Sequence, residues 1–342
     1  MTQILFRSSW HWANNGTDVQ RTAVSHSGDI SVTAADLADA GGRTLEVVGA
    51  LDRVEFPLQA HDPWPTSWCL HAWMQYEGGT AAQDGGWIGP IDSGGARGIA
   101  LRGTRNSPAG IRLYHKGSIL FGPYAIPNPA HVVLAVTEHP SEGSVHLWVD
   151  GSLVYSDESR DTSRDNPPTR MSLGAAGNSF PMRYSHVILT DGENLGGDAL
   201  VSWMPPSADV APNEWDKSEA TDDHFEHLSD HPHDADVSYL RSPADGNRTR
   251  HKFSTSLPTG RRIVGAGIVA VSRLEASSDD RLQVTHHSSA GSPVALVRGV
   301  LGTEYAAQSF TALSEDPATS EEWTESALSD MEVEVEHLAP EA

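Results

Sequence analysis

The stretch Val145-His-Leu-Trp-Val-Asp-Gly-Ser-Leu-Val-Tyr155 decides the fold class of this chain. Two runs of apolar and β-favouring residues flank the pair Asp150-Gly151, which supplies the positive φ angles that a two-residue type I′ turn requires. The stretch is therefore predicted to form a tight β-hairpin. Similar signals recur along the chain without a convincing long helix between them, which predicts a protein built from antiparallel sheets.

Length and composition bound the architecture. A chain of 342 residues is too long for one typical small domain and suits two, each large enough to bury a core. The 31 Gly and 21 Pro favour a turn-rich all-β protein over a helical one. The single cysteine, Cys69, excludes an internal disulfide framework and a zinc site made of several cysteines.

The net charge restricts the partners. The 46 acidic and 23 basic residues give a formal charge of −23, which argues against nucleic acid as a partner because its phosphates would be repelled. Three of the basic residues are lysines and the other 20 are arginines. An acidic, lysine-poor surface suits a halophilic protein that works in strong brine, and a genome rich in G and C is the alternative explanation.

The termini and the hydropathy pattern bear on where the protein works. Residues 1–7 lack the basic start and the long apolar core of a signal peptide. No apolar run approaches the ~18 residues that a membrane-spanning helix needs, so no membrane span is expected. A protein of this kind that works outside a cell leaves by lysis or as part of a particle.

Candidate strands are densest between residues 67 and 190, where turn residues separate them at intervals of about 8–15 residues, as in a β-sandwich. These strands are predicted at 67–76, 87–91, 98–102, 110–114, 118–121, 131–136, 145–155, 170–173 and 184–190. Sparser candidates precede them at 3–7, 22–25, 30–32, 45–48 and 54–58.

The pattern breaks at a Pro-rich segment, residues 204–212, which is predicted to be a linker or an arm leading into a strand. A second set of strands follows at 237–240, 251–253, 262–274, 282–286, 293–300, 303–310 and 331–338, with a helix entry or turn at 317–323. The predicted organisation is a jelly-roll domain over 1–203, the linker, and a smaller β-sandwich over 213–342.

Five segments of the first half share the order and spacing of a known family. They are Leu70-His-Ala-Trp73, His131-Val-Val-Leu-Ala-Val-Thr137, the hairpin 145–154, Met171-Ser-Leu-Gly174 and Tyr184-Ser-His-Val-Ile-Leu189. Together they resemble a laminin-G/concanavalin-A-like jelly roll, and the resemblance implies a fold of two antiparallel sheets.

The second half carries a more specific pattern. Its pieces are Asp234-Ala-Asp-Val-Ser-Tyr239, Phe253, the run 262–270, and the turn Asp316-Pro-Ala-Thr-Ser-Glu-Glu-Trp-Thr324 before an acidic strand. They resemble a domain of structural proteins of tailed viruses and prophages. The resemblance implies a non-enzymatic virion component, and tail fibre, baseplate, turret and capsid decoration are all compatible with it.

A virion protein of this type implies particular partners. It would contact other virion proteins and, on the exposed particle, host-surface glycans. Appendages of particles are usually closed symmetric homo-oligomers, so a trimer or pentamer is expected.

Two tryptophans are candidate glycan contacts. Trp64 and Trp87 occur near predicted loops and could stack on sugar rings, while core packing and protein interfaces are the competing interpretations. Asp84, Asp92 and Asn178 in the same loops could supply oxygen ligands to calcium. Their spacing matches no known calcium motif, so turn-forming roles are favoured; no cofactor is certain, and calcium or another divalent cation stays open.

The densest group of metal-ligand side chains lies at residues 222–236. Imidazole and carboxylate groups there could bind a divalent metal, from His224, His227, Asp230, His231, His233 and Asp234. A polar loop containing Pro232 gives little preorganisation. A solvated acidic loop with incidental histidines is therefore favoured.

Enzyme motifs are weak. Carboxylates at alternating strand positions, which a retaining jelly-roll glycosidase needs, occur only at Glu332, Glu334 and Glu336, where a solvent-facing strand side is the simpler explanation. No nucleophile elbow, P-loop or Rossmann fingerprint is present. We therefore predict a protein that is not an enzyme. A free carbohydrate-binding lectin and, less favoured, a glycan hydrolase remain as alternatives.

Overall fold

The computed structural model describes most of the chain as two compact units, one up to Ser202 and one from Trp203 onward. The described residues are 4–8, 25–27, 30–33, 44–47, 53–58, 63–76, 84–104, 110–174, 182–192, 194–197, 199–218, 223–228, 238–254, 257, 261–275, 279–289, 291–303, 306–309 and 313–340. None of the helices in these ranges is long and apolar enough to cross a membrane.

The first unit consists of strands connected by turns and loops. In chain order they are β1 Ile4–Ser8, β2 Ser25–Ser27, β3 Ile30–Thr33, β4 Thr44–Val47, β5 Arg53–Pro57, β6 Ser67–Tyr76, β7 Asp84–Ile91, β8 Ile99–Thr104, β9 Gly110–His115, β10 Ser118–Ala125, β11 Ala130–Thr137, β12 Gly143–Val149, β13 Ser152–Arg160, β14 Arg170–Gly174 and β15 Met182–Asp191. The strands predicted between 67 and 190 are confirmed, with small shifts of their ends.

The described strands of this unit form two antiparallel sheets. The eight-stranded sheet has the order β13-β12-β11-β6-β15-β4-β3, with β1 also paired to β15, and the seven-stranded sheet has the order β10-β9-β8-β7-β14-β5-β2. Their inner faces share one core, which includes Leu70 and Leu134 from the first sheet and Ile88 and Leu101 from the second. The predicted all-β, concanavalin-A-like jelly-roll sandwich is confirmed.

The hairpin that indicated this fold forms as predicted. Asp150 and Gly151 have φ angles of 47° and 76°, and Val149 pairs with Ser152 across the turn. The Asp150 carboxylate also accepts a hydrogen bond of 2.8 Å from the backbone N–H of His131, which ties the turn to β11. Along β12, buried and half-buried residues alternate, because successive side chains point to opposite faces of the sheet.

The second unit is also all-β. Its strands are β16 Pro206–Asn213, β17 Asp216–Lys217, β18 Leu240–Arg241, β19 Arg248–Phe253, β20 Val269–Ser272, β21 Arg281–His287, β22 Val294–Val300, β23 Ala306–Ser309, β24 Glu315–Asp316, β25 Glu321–Glu322 and β26 Glu332–Leu338. A 3-10 helix spans His224–Leu228 and a short α-helix, α1, spans Glu325–Ser329.

The main sheet of this unit has five strands in the order β16-β19-β26-β21-β22, and its core is built around Val284, Val333, Trp323 and Leu328. Three two-stranded sheets, β17-β18, β20-β23 and β24-β25, accompany it among the described residues. The unit is therefore a smaller β-structure than the jelly roll.

The structure differs from the sequence expectation in two places here. The Pro-rich segment 204–212 lies largely within β16, which pairs with β19. Of the strand predicted at 262–274, only Val269–Ser272 pairs as a strand, while Ala266 forms a separate bridge to Leu313. Gly265 and Gly267 flank that bridge, and glycine weakens a strand interior because it has no side chain to pack.

Candidate functional site on the seven-stranded sheet

The outer face of the seven-stranded sheet carries an unusual set of side chains. In β8, Ile99 and Leu101 are buried in the core, so the alternating residues Ala100 and Arg102 belong to the outer face. The strand pairing then identifies which residues of the neighbouring strands lie beside them. Three adjacent rows of outer-face residues result.

The first row is rich in arginine. Arg53 of β5, Gly174 of β14, Trp87 of β7, Arg102 of β8 and Arg112 of β9 are successive cross-strand neighbours. Neighbouring strands are about 4.8 Å apart, so the row crosses five strands within about 20 Å.

The middle row is made largely of small residues. Glu55 pairs with Ser172, Ser172 with Gly89, and Ala100 with Tyr114. A side chain at Gly89 would meet the Cβ of Ala100 at 3.3 Å, which places these two residues side by side. The middle row runs from Glu55 to Tyr114 and is buried, since Glu55, Ser172 and Ala100 are 1%, 0% and 1% exposed.

The third row brings further arginines to the opposite side of this middle row. Arg170 of β14 pairs with Ile91 of β7, and Ile91 forms a bridge with Arg97. We name the surface formed by Arg53, Arg97, Arg102, Arg112 and Arg170, together with Trp87 and Tyr114, the arginine face.

The aromatic rings hold the arginines in place. The guanidinium carbons of Arg97 and Arg102 lie 5.2 Å and 5.0 Å from the centre of the Trp87 ring, within the range of cation–π attraction. Tyr114 meets the same ring edge-on at 4.7 Å, and Arg102 lies 6.0 Å from the Tyr114 ring. Trp87 is only 8% exposed, so its ring serves as a platform for arginine side chains.

One carboxylate neutralises part of the face. Glu55 is 1% exposed, and its oxygens lie 2.8 Å from Nη1 of Arg170 and 3.4 Å from Nε of Arg53. Arg170 also donates to the backbone carbonyl of Ser93 at 3.4 Å. Because a buried carboxylate needs such partners, Glu55 fixes the two arginines at one end of the surface.

Arg97 lies close to other cations at the centre of the face. Among the residues that the structure describes, Arg97 forms no ion pair. Burial lowers the pKa of Arg97, and the nearby cation Arg53 lowers it further. Glu55 opposes this with a smaller effect than that of Arg53, and Arg102 contributes the smallest decrease. An anion placed here would relieve the repulsion between these guanidinium groups.

Two buried polar atoms of the same surface lack a hydrogen-bond partner within the described part of the chain. They are Oγ of Ser172, a fully buried residue of the middle row, and Nε1 of Trp87. Buried polar groups in native proteins are nearly always hydrogen-bonded, and an ordered water can supply the partner. Both atoms lie where the arginines converge.

Trp64, the other predicted glycan contact, has a different environment. The guanidinium of Arg164 lies 5.5 Å from the Trp64 ring and 5.8 Å from the Trp68 ring. Arg164 forms a bidentate ion pair with Glu138, which also accepts a 2.5 Å hydrogen bond from Nε1 of Trp68. These contacts form a brace with little exposed surface, and Trp64 is not among the groups of the arginine face.

The candidate calcium ligands are placed separately. Asp92 is 5% exposed, and its oxygens accept hydrogen bonds from Ala96 N at 2.8 Å and from the side chain of Asn166 at 3.0 Å. These bonds, led by that of Asn166, lower the pKa of Asp92 and close a local turn. Asp84 pairs with Thr104 at the start of β7, and Asn178 lies outside the described residues.

The predicted metal-ligand group is described only in part. Nε2 of His224 lies 2.9 Å from the carbonyl of Trp215, and Nδ1 of His227 lies 3.1 Å from the hydroxyl of Ser218. The remaining candidates lie outside the described residues, namely Asp230, His231, His233 and Asp234. In the described ranges no group of three or more histidine, cysteine or acidic side chains is arranged to hold a metal.

His224 belongs instead to a buried polar network. Asp209 accepts hydrogen bonds from the backbone N–H groups of His224 and Phe225, and its Oδ1 lies 3.1 Å from Nδ1 of His251. Nε2 of His251 lies 2.8 Å from the hydroxyl of Thr249. This order of groups matches a nucleophilic triad, but Thr249 is 1% exposed and cannot meet a substrate, so the network ties the 3-10 helix to the sheet.

The alternating carboxylates of β26 also have structural partners. Glu334 is only 5% exposed and accepts a 2.6 Å hydrogen bond from Arg250, while Glu332 lies 3.7 Å from Arg250 and from Lys252. Glu336 accepts a 3.2 Å hydrogen bond from Gln283. The expected solvent-facing side of this strand is thus a cross-strand ladder of ion pairs and hydrogen bonds.

A second recess of the jelly-roll unit has mixed charge. It is an open groove of about 670 Å³ between the edge strands β10 and β13, lined by residues that include Lys116, Asp157, Arg160 and Asp161. Lys116 pairs with Asp165 at 2.9 Å and Arg160 with Asp157 at 2.5 Å. Since Lys116 and Arg160 are both paired within the protein, these two cations are less available to a ligand.

Comparisons with known proteins add the following. No family model matches the chain, and no curated protein matches it in sequence. Solved structures with a similar backbone include the catalytic domain of a GH131 β-glucanase from Podospora anserina, with 11% identity, a TM-score of 0.39 and coverage of 58% of this chain and 99% of that one. Domain 4 of an extracellular GH43 arabinanase from Geobacillus stearothermophilus has 12% identity, a TM-score of 0.38 and coverage of 56% and 93%.

A third similar structure is an alginate lyase, with 10% identity, a TM-score of 0.36 and coverage of 56% of this chain and 98% of that one. At these identities and TM-scores, the neighbours assign no activity, substrate or site to this chain.

Sequence reasoning identified Trp87 but missed the arginines around it. Arg102 and Arg112 alternate with apolar residues in predicted strands, which marks them as outward-facing. Outward-facing arginines in a strongly acidic chain could have indicated a locally basic surface on this sheet. Their convergence depends on strand pairings between distant parts of the sequence, which no local pattern reveals.

Proposed function

We propose that this protein is a non-enzymatic structural component of a tailed virus particle, and that its jelly-roll unit contacts host-surface glycans through the arginine face. The observation that carries the glycan contact is the cluster in which Trp87 and Tyr114 hold Arg97 and Arg102 in fixed positions. Because both rings are buried, the arginine side chains that they hold are the groups that would donate hydrogen bonds to a sugar.

The carboxylate of the arginine face and two carboxylates of β26 are held by arginine side chains. Glu55 on the arginine face is held by Arg53 and Arg170, and Glu332 and Glu334 on β26 belong to a cross-strand ladder. A retaining glycosidase needs two carboxyl groups about 5 Å apart on either side of the scissile bond. We therefore assign binding rather than cleavage to the face.

Support for the virion role comes from the sequence of the second unit, through its resemblance to structural proteins of tailed viruses. The turn 316–324 that carries this resemblance has a defined structure. Asp316 accepts a hydrogen bond from Ala318 N at 2.9 Å, and the Thr324 hydroxyl accepts one from Ala327 N at 3.0 Å, which caps α1. The turn thereby positions the buried Trp323 in the core of the unit.

Glycan binding is tested with the purified full chain on an array of immobilised glycans. The wild type is expected to be retained by a subset of glycans, and Arg102→Ala is expected to lose that retention. Trp148→Ala is the matched control, because Trp148 is a half-buried aromatic residue on β12 of the other sheet. Retention that is the same for all three proteins, or no retention at all, would contradict the proposed contact.

The virion role is tested independently of the ligand. Particles from cells that encode the protein are purified on a density gradient and labelled with antibody. The protein should sediment with the particles and be labelled on their surface. Light scattering in molar salt should give a closed trimer or pentamer, whereas a monomer that never sediments with particles would favour a free lectin.

A further inference from the structure

We propose that the segment after β15 is an acid-released strap, which covers part of the outer face of the eight-stranded sheet and opens when His71 takes up a proton. The structure describes residues 192, 194–197 and 199–201 of this segment, and we name these residues the strap. The strap lies on the sheet opposite the arginine face, so its release does not depend on the proposed glycan contact.

The strap crosses the outer face of β6. Ser67, Cys69 and His71 alternate with core residues of that strand, so they share this face. A side chain at Gly192 would meet the Cβ of Ser67 at 3.5 Å, and the backbone N–H of Leu195 donates a 3.3 Å hydrogen bond to Nε2 of His71. Cys69 lies between these two points and is 0% exposed. The strap therefore passes over the single cysteine of the chain.

Two imidazole rings hold the strap. Nε2 of His71 accepts the hydrogen bond from Leu195, and Nδ1 of His186 accepts a 3.0 Å hydrogen bond from the backbone N–H of Val201. A neutral imidazole has one nitrogen that can accept, whereas both nitrogens of an imidazolium are donors. A proton on Nε2 of His71 would therefore face the Leu195 N–H group as a second donor, and this hydrogen bond is lost when the ring becomes charged.

The surroundings of His71 favour its neutral form. Its cross-strand neighbours, Val133 on β11 and Ile188 on β15, are apolar. The ring also contacts two titratable side chains, His131 at a centroid distance of 5.8 Å and Cys69, whose Sγ lies 3.4 Å from Nε2. In acid a thiol is neutral and a second imidazole is a cation, so neither balances a charge on the ring. Burial and the neighbouring His131 accordingly lower the pKa of His71 to about 3.

Much of the strap is open to solvent. Gly192, Gly196 and Gly197 have φ angles of 67°, 67° and 57°, and a side chain at Gly196 or Gly197 would meet no described atom within 4 Å. Asn194 is also exposed, whereas Ala199 is buried. A segment that buries few apolar side chains can open while the sheet beneath it stays folded.

Acid favours the open strap. In the open state His71 meets water, and its pKa returns towards the ordinary value of 6.5, so the open state takes up a proton that the closed state excludes. Each pH unit below 6.5 then raises the ratio of open to closed strap by up to about tenfold, until the pH approaches 3. Acidification thereby uncovers a surface of imidazole and thiol groups that is hidden at neutral pH.

The experiment uses Cys69 as the reporter, because it is the single cysteine of the chain. The full chain is mixed with a dipyridyl disulfide, which reacts with thiols in acid as well as at neutral pH, and the release of thiopyridone is followed by absorbance. Each rate is divided by the rate of glutathione at the same pH, which corrects for the ionisation of thiol and reagent. The measurement is made at about pH 7 and about pH 5.

The corrected rate of the wild type should rise about twentyfold from pH 7 to pH 5. His71→Gln keeps a side chain that can accept from Leu195 but does not titrate, so its corrected rate should change less than about threefold. His146→Gln is the matched control, because His146 lies on the same outer face, on β12, and its Nδ1 is 3.0 Å from Oγ of Ser156. It should behave like the wild type.

A second variant keeps the test decisive if His71→Gln does not fold. Leu195→Pro leaves the sheet unchanged and removes the N–H group that His71 accepts. Its corrected rate should already be high at about pH 7 and should rise less in acid than that of the wild type. Circular dichroism and a thermal melt at both pH values show whether each protein is folded.

The contradicting outcomes are distinct. A corrected wild-type rate that is equal at the two pH values, or a thiol that reacts as fast as glutathione at about pH 7, would overturn the strap. An equal rise in wild type and His71→Gln would overturn the role of His71, and loss of the β-sheet spectrum at about pH 5 would show unfolding instead of local release. The glycan array probes the opposite sheet, so its result is independent of all these outcomes.

Discussion

The two outer faces of the jelly-roll unit share one core but have opposite chemistry. The seven-stranded sheet presents arginines, whereas the eight-stranded sheet presents imidazole and indole rings at equivalent alternating positions. His71 and His131 on that second face are 0% and 1% exposed, and their ring centroids are 5.8 Å apart. Trp73 lies 5.5 Å from His131.

We name the outer face that carries His71, His131 and Trp73 the histidine face, and a later segment of the chain contacts it. Backbone N–H groups of Leu195 and Val201 donate hydrogen bonds to ring nitrogens of His71 and His186, at 3.3 Å and 3.0 Å. Burial, with a contribution from His131, lowers the pKa of His71 to about 3, so its ring is neutral near pH 7. The difference shows that one sandwich can use one outer face as a second buried layer and the other as a charged surface.

The largest expected effect comes from placing the same charge on both faces. Val133, on the histidine face, and Ala100, on the arginine face, are 4% and 1% exposed. Val133→Asp should lower the free energy of unfolding by about 3 kcal/mol or more, because its cross-strand neighbours are Trp148 and the neutral His71.

Ala100→Asp should be less destabilising than Val133→Asp, because Arg97 and Arg102 lie beside the new carboxylate. The difference between the two losses in the free energy of unfolding should be about 2 kcal/mol or more. Urea denaturation of both variants measures the difference. Equal losses would show that the arginines do not act as a site for an anion.

Acidification should act on the histidine face. The folded-state pKa of His71 lies below the ordinary value of 6.5, so the unfolded chain binds the proton more readily. Its contribution to stability is complete above about pH 6.5 and is lost as the pH falls towards 3. Between pH 7 and pH 5, wild type should lose about 2 kcal/mol more than His71→Gln, since each unit of pKa shift corresponds to about 1.4 kcal/mol.

Urea denaturation at the two pH values measures this difference. The lowered pKa values of His251, His286 and His287 act in the same direction in both proteins and cancel in the comparison. Parallel losses in wild type and His71→Gln would contradict the neutral, buried His71.

The acidic residues Glu55 and Glu46, which pair with arginines on the two faces, should contribute differently to the free energy of unfolding. Glu55 is 1% exposed and serves two arginines, while Glu46 of the eight-stranded sheet is more exposed and lies 3.4 Å from Arg183. Glu55→Gln should lower the free energy of unfolding by about 1–2 kcal/mol, because two arginines lose their counter-charge.

Glu46→Gln should cost about 0.5 kcal/mol or less, as is usual for a partly exposed pair. Thermal melts of the two variants measure the contrast. An equal shift of Tm would show that Glu55 does not organise the arginine face.

The smallest effect should come from salt. A chain with a net charge of −23 repels itself, so its Tm should rise between about 0.1 M and about 2 M NaCl as the repulsion is screened. A flat melting profile would leave genome composition as the explanation for the acidic, lysine-poor sequence.

Much of the fold could be predicted because it depends on local patterns. The Asp150-Gly151 turn, the alternation in β12, and the strand ends marked by Gly and Pro all follow from neighbouring residues. The expected strand 262–274 was too long, since its glycines interrupt pairing that residue-by-residue propensity does not register.

The candidate site could be predicted only in part. Trp87 stood out by residue type, but its neighbours on the outer face come from residues 53, 102, 112 and 170 and meet only through the order β5-β14-β7-β8-β9. That order is set by packing of the whole sandwich. The histidine-rich segment was equally ambiguous, because the partners of His224 in the described structure, Asp209 and Trp215, lie before it in the chain.

The alternation in β8 has a consequence for how such a protein can change. Ile99 and Leu101 hold the sandwich together, while Ala100 and Arg102, one residue away, belong to the opposite side of the strand. Substitution of Arg102 would change the charge of the outer face while Ile99 and Leu101 preserve the core. The strand thus assigns stability and surface chemistry to different residues, so that the two can change separately.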